Sequence, residues 1–316
     1  MSVLDRDPGE VVCRSGPEAG VEIIAPRDVP LGGPRAMTVR RTLPSRQRSL
    51  IGAWCFVDHY GPDDTVMSVA PHPHTGLATV SWLFTGEIEH RDSAGHHALV
   101  RPGEVNLMTA GRGISHSEIS TSGSTTLHGA QLWVALPDHA RHDEPGFTHH
   151  APDAVRRPGL EARVFLGSLL GDTSPVPTAT PLLGAELLLD AGARVVLDVD
   201  PGFEHGLLVD TGSLHVAGHA AAAHDLVYLP TGGLALELVA GDEPVRALLL
   251  GGPPFGESIV MWWNFIGRTH DEVAAFRADW QAQVEHGTET RYGPLGDELP
   301  PIPAPSLPNA RLRERR

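Results

Sequence analysis

The strongest constraint on this chain is a regular alternation of short apolar-patterned runs with turn residues, which continues through most of its length. Residues 78–84 read as a buried or half-buried strand, Thr85 and Gly86 turn it, and residues 87–92 alternate as a strand with one wet face should. Residues 93–95 turn again, 97–100 return, 101–103 turn once more, and 104–108 form the next run. Such a beat belongs to a sandwich or barrel of antiparallel strands. The 35 glycines and 28 prolines supply the punctuation.

The beat stops in a polar stretch rich in His, Pro and Asp at 138–157 and resumes near Leu160. Candidate strands follow at 182–189, 193–199, 206–209, 213–216, 225–229, 235–239 and 246–250. One helix is predicted, from His270 to about Val284, because Val273, Phe276, Trp280 and Val284 recur every three or four positions. A chain of 316 residues is long enough for two domains with real cores. The expected organisation is a lead-in over 1–20, a first barrel over 21–140, a connection, a second barrel plus the helix over 155–285, and an irregular tail over 286–316. The halves also read as a degenerate repeat: setting Gly212 on Gly86 brings residues 229–232 near 108–111.

The formal net charge is −15, with no basic stripe, helix-turn-helix signature or zinc-finger spacing. Direct nucleic-acid binding is therefore not expected. No apolar run approaches a membrane span, and the acidic N-terminus lacks the apolar segment of a signal peptide, so a cytoplasmic protein is expected. Cys13 and Cys55 make neither a disulfide framework nor a C-x-x-C site.

Of the 18 histidines, spacing singles out few. His72-Pro73-His74 places two imidazoles on one face of a strand, because residues two apart share a face. His116-Ser117-Glu118 repeats the device with an imidazole and a carboxylate. Strands of one barrel would let all four converge inside it. Three imidazoles and a carboxylate suit Fe(II), Mn(II), Co(II), Ni(II), Cu(II) or Zn(II) and leave coordination positions open. Gly76 after the first pair, and Gly111 and Gly113 before the second, permit tight turns and close backbone approach at a barrel rim. Other residues carry blander readings. His90 and Asp92 share a strand face, more readily a solvated hairpin face than support for a metal. Trp54, Trp82 and Trp133 read as core and Trp262-Trp263 as packing between domains or against the helix, while Arg112 is a weaker candidate for holding an anionic or phenolic substrate.

The stretches 72–80, 83–93, 101–104 and 108–118, with 250–257 and 260–265 further on, closely resemble the pirin family of the cupin superfamily. The resemblance spans most of the chain apart from its termini. It implies an all-β bicupin, two cupin-type β-barrels with a C-terminal helix, holding metal in the N-terminal barrel only. It carries the ligand roles onto His72, His74, His116 and Glu118. One departure is Ala78, four residues after His74, where many relatives have a glutamate. On the repeat alignment the ligand positions of the second half fall at Asp198, Asp200, Glu237 and Val239, so that half is expected to lack a metal; His205, His215, His219 and His224 read as surface or core-edge residues.

The activity implied by resemblance is that of a quercetin 2,3-dioxygenase type. Dioxygen and a flavonol, or a related enol or catechol, would be the substrates, iron the metal, and Glu118 the general base. The alternative is a non-enzymatic, redox-responsive metalloprotein that regulates a transcription factor or metabolic enzyme through protein contact.

Overall fold

The computed structural model describes residues 20–31, 37–294 and 299–315. The expected lead-in, Gly20 apart, and Cys13 lie outside them. Each of two barrels contains one seven-stranded and one four-stranded antiparallel sheet. In the first barrel the large sheet runs, in spatial order, Gly146–His150, Val105–Thr109, Leu77–Thr85, Leu127–Ala135, Trp54–Asp63, Met37–Leu43 and Arg27–Leu31. Its small sheet runs Ser68–His74, Ile114–Ser120, Ile88–Asp92 and His97–Val100. The second barrel repeats both. Its large sheet runs Glu22–Ile24, Leu226–Leu229, Glu204–Thr211, Val245–Gly252, Leu183–Leu189, Leu160–Leu166 and Ala154–Arg157. Its small sheet runs Arg194–Asp198, Ala235–Ala240, Leu214–Val216 and His219–Ala221. Gly86 and Gly212 follow equivalent strands with φ of 96° and 78°, a left-handed conformation that favours glycine.

The edges differ from expectation. Residues 138–157, read as a connection, contain two strands: Gly146–His150 pairs with Val105–Thr109 in the first barrel, and Ala154–Arg157 pairs with Leu160–Leu166 in the second. Both are half-exposed edge strands, so no clean apolar alternation marks them. Glu22–Ile24, expected within the first barrel, instead pairs with Leu226–Leu229 of the second. The strand ahead of each barrel thus completes the large sheet of the other. Arg48 of the first barrel clasps Glu22 at 2.8 Å and stacks its guanidinium on Tyr228, 3.2 Å from the ring centroid.

The two large sheets meet through a shared core. Ala78, Val80 and Trp82 on one strand, with Trp54, Ala130, Leu132 and Val134, pack against Phe165, Leu208, Leu226, Leu248 and Leu250 of the second barrel. Trp82 and Phe165 stack across the seam at 4.6 Å. These strands are covered on both faces, which is why they read as apolar runs. Cys55 is buried in the first barrel, and burial pushes its thiol up to about 12.

The helix spans His270–His286. Thr269 caps it by accepting from the Glu272 amide, and Gly287 ends it in the left-handed region at φ 66°. Its buried residues Val273, Phe276 and Trp280 pack with Trp262, Trp263 and Phe265 onto Leu77, Phe56 and Trp133. The helix, grouped by sequence with the second barrel, therefore covers the first. The tail is irregular in backbone but fixed in place: the Ile302 amide donates to the Pro71 carbonyl, and Trp280 Nε1 donates to Ile302. Among the described residues no helix is long and apolar enough to cross a membrane.

Candidate metal centre

The alternation of a strand brings the chosen residues together. His72 and His74 lie on Ser68–His74, and His116 and Glu118 on the adjacent Ile114–Ser120, with His116 directly opposite His72. All four are buried inside the first barrel. The donor atoms of His72, His74 and His116 lie within 4.8 Å of one another, and those of His90, His116 and Glu118 form an overlapping group. His74 Nε2 and His116 Nε2 are 3.1 Å apart. Adjacent donors on one metal, with bonds of about 2.0–2.1 Å, sit roughly 3 Å apart. The His72 Nδ1 proton is placed to go to the Ala70 carbonyl at 2.9 Å, which leaves the lone pair on Nε2. The donor set thus fits a divalent transition metal.

Electrostatics agree. Burial holds His72 down at about 4, and burial with the neighbouring imidazoles holds His74 and His116 well below the ordinary histidine range. At neutral pH all three are uncharged, the form that binds metal.

Turns fix the two strands. Gly76 and Gly111 have φ of 67° and 51°, and the Gly76 amide donates to the Gly111 carbonyl at 2.9 Å. A Cβ on Gly76 would lie 2.2 Å from the Ile266 carbonyl oxygen, so only glycine lets the hairpin of Val260–Trp262 and Phe265–Gly267 close over the site. Trp133 forms a wall, edge-on to His74 at 5.2 Å and stacked on Phe56 at 4.1 Å. Arg112 points elsewhere, into an exposed pair with Glu144. Ala78 faces the seam between barrels, away from the cluster.

His90 and Asp92 are not on a solvated face. Both side chains are buried, His90 Nε2 lies 3.2 Å from Asp92 Oδ2, and His90 Nδ1 lies 3.3 Å from His116 Nδ1. The wet face of that strand is Glu89 and Arg91, which pair with each other. The alternation was present in the sequence; what was absent was the cover supplied by Phe147, stacked on His90 at 4.8 Å from the strand Gly146–His150.

A second cluster had no signal in the sequence. His59 and His128 of the first barrel each reach Asp210 Oδ1 of the second at 2.6 Å, buried in the seam. Arg40 Nε, which can only donate, lies 3.2 Å from His59 Nδ1. His59 therefore carries its proton on Nε2 and gives it to Asp210. A metal would need that Nε2 lone pair, and it would lie beside a carboxylate already shared with Arg246 at 3.4 Å. This cluster is a hydrogen-bonded lock between barrels. The two imidazole bonds hold the Asp210 carboxyl far below its ordinary range although burial opposes them.

In the second barrel the small sheet presents Val195 and Leu197, and opposite them Leu236 and Leu238, to an aliphatic interior. The alignment that put the ligand equivalents at Asp198, Asp200, Glu237 and Val239 was out of step by one position. Those residues lie on the outer face or beyond the strand end, because a shift of one residue reverses every side chain. A cleft of about 500 Å³ on this barrel, lined by Arg156, Arg157, Glu161 and Arg246 among others, includes none of the four residues of the first barrel's cluster.

Comparison with known proteins matches residues 36–134 to the family profile Pirin and residues 184–285 to the Pirin C-terminal cupin domain. A Pseudomonas aeruginosa protein provisionally named quercetin 2,3-dioxygenase is 43% identical over 305 residues, covering 94% of this chain and 93% of its own. A pirin-like protein of Caulobacter vibrioides is 36% identical, over 79% of this chain and 92% of its own. Among solved structures, a quercetin 2,3-dioxygenase from Acinetobacter baumannii is similar with a TM-score of 0.86 and 40% identity, over 93% of this chain and 98% of its own.

Proposed function

The chain belongs to the pirin family of bicupin proteins, and from that premise we propose that it is a metal-dependent dioxygenase acting on a flavonol or related enol or catechol. The observation that carries this reading is the 3.1 Å approach of His74 Nε2 to His116 Nε2 inside a barrel where His72 joins that pair and Glu118 lies beside His116. The names of the Pseudomonas and Acinetobacter relatives support the substrate class. We assign His72, His74, His116 and Glu118 as the metal ligands and Fe(II) as the ion, the metal that the family resemblance implies and that imidazole and carboxylate donors suit.

When bound, that ion supplies Lewis acidity toward the substrate hydroxyl and a redox partner for dioxygen. The chain supplies the rest. Burial keeps the three imidazoles neutral and able to donate. Glu118 accepts the proton of the substrate hydroxyl: the O–H bond breaks, its electron pair stays on the substrate oxygen, and the proton rests on the carboxylate. Trp133 and the hairpin over Gly76 exclude water from that transfer.

The test is dioxygen uptake with carbon monoxide detection on protein loaded anaerobically with Fe(II) and given quercetin, with His116→Ala as control. Metal-dependent uptake with carbon monoxide, lost in the control, is the expected result. A fully occupied metal with no turnover of flavonol, enol or catechol substrates would overturn it and favour a redox-linked regulator. Glu118→Gln is expected to keep part of the metal affinity and lose turnover; unchanged turnover would remove its role as base.

A further inference from the structure

Behind the proposed ligands lies a second tier of polar groups whose protons each have one place to be. The strand Ile88–Asp92 pairs with Ile114–Ser120, setting Asp92 opposite His116 and His90 opposite Glu118. A carboxylate only accepts, so the 3.2 Å contact between Asp92 Oδ2 and His90 Nε2 puts the His90 proton on Nε2. His90 Nδ1 is then an acceptor. The atom facing it at 3.3 Å, His116 Nδ1, must be the donor. That leaves the His116 lone pair on Nε2, the atom 3.1 Å from His74 Nε2. The opposite assignment would set a lone pair of His90 against the carboxylate.

Asp92 is itself held firmly. Its Oδ1 accepts from the Ala94 and His96 amides at 3.0 Å each, and the His96 ring approaches at 3.1 Å. Burial opposes its ionisation, but the His90 and His96 hydrogen bonds keep the carboxyl below its ordinary range. Phe147 fixes the plane of His90 by stacking on it.

We infer that Asp92 and His90 are positioning residues, a relay that fixes the tautomer of His116 and, by placing a buried carboxylate one imidazole behind it, strengthens His116 as a donor and stabilises the more oxidised state of a bound ion. The inference rests on the metal-centre reading given above. Outer partners of this kind commonly change metal affinity about 10–100-fold when removed.

The experiment compares wild type, His90→Phe, His90→Gln and Asp92→Asn by Co(II) affinity in competition with a chelator and by the Fe(III)/Fe(II) potential, with apo-protein melting as the check on folding. His90→Phe keeps the ring stack but removes the acceptor, and affinity is expected to fall about 10–100-fold. His90→Gln offers its amide oxygen to His116 Nδ1 and restores most of it. Asp92→Asn keeps an oxygen for the turn amides, removes the charge, and raises the potential. Equal losses in both His90 variants with no change of potential in Asp92→Asn would reduce the pair to a structural role and overturn the relay. Variants matching wild type in both readouts would overturn the relay while leaving the metal centre standing. A wild type that binds no ion would overturn both.

Discussion

Two sheets of the same topology, one in each barrel, hold opposite contents. In the first barrel the paired strands Ser68–His74 and Ile114–Ser120 turn His72, His74, His116 and Glu118 inward. In the second, Arg194–Asp198 and Ala235–Ala240 turn Val195, Leu197, Leu236 and Leu238 inward. Buried aliphatic side chains contribute roughly 1.5–3 kcal/mol each to stability, whereas buried imidazoles contribute only when every polar atom finds a partner. The repeat has kept the scaffold and changed what it encloses. One copy is filled to be stable, the other to hold donors close together, and the shared seam lets the first lean on the second.

That contrast can be broken experimentally. The largest effect is expected from His116→Ala, which should abolish stoichiometric metal while the barrels stay folded; elemental analysis with circular dichroism checks both, and retained metal would sink the ligand assignment. Next is Leu238→His, which puts an unmatched imidazole into the aliphatic interior and should cost about 3–5 kcal/mol in denaturant unfolding. The converse change, His116→Leu, should cost less, about 1–3 kcal/mol in the apo-protein, because the new side chain packs in the interior but leaves the His90 Nδ1 acceptor without its donor. Stability losses of similar size in both would show that the first interior is packed for stability after all.

Asp210→Asn removes the charge that two imidazoles share across the seam, and about 1–3 kcal/mol should be lost with no change in bound metal. A loss of metal in that variant would mean that the seam cluster and the metal centre are not separate. The remaining effect is graded in pH. His72 is held at about 4 in the folded protein against an ordinary 6.5. Between those values the unfolded chain takes up a proton that the folded one refuses. Stability of the apo-protein should therefore fall as pH drops from about 6.5 toward 4, by up to about 1.4 kcal/mol per pH unit for one such group. His72→Leu should lower that slope by one group's share while His74 and His116 keep theirs, and Leu197→Val in the second barrel should leave it unchanged.

How much of this was legible beforehand follows from periodicity. The period of two put His72 with His74 and His116 with Glu118 on common faces, and the structure brings all four into one interior. The helix was readable from Val273, Phe276 and Trp280, and Gly287 fixes its end just beyond the range read from the sequence. The edge strands Gly146–His150 and Ala154–Arg157 were hidden because half-exposed edges do not alternate. The seam cluster was hidden because His59, His128 and Asp210 come from three separate strands with no shared spacing. The misplaced equivalents in the second barrel show the sharpest limit. Turn glycines aligned correctly, yet one residue of slip between turn and strand exchanged the dry face for the wet one.

The exchange of edge strands carries a consequence for how such a chain comes into being. As it leaves the ribosome, the segment Glu22–Ile24 has no place to pair until Leu226–Leu229 has been made, so the large sheet of the second barrel is completed by a piece synthesised well before the rest of it. The first barrel, in turn, takes its last strand from the residues that introduce its neighbour. A gene severed between residues 140 and 146 would yield two polypeptides that each keep a strand belonging to the other, and coexpression of the two should restore by fragment complementation what neither half achieves when expressed alone.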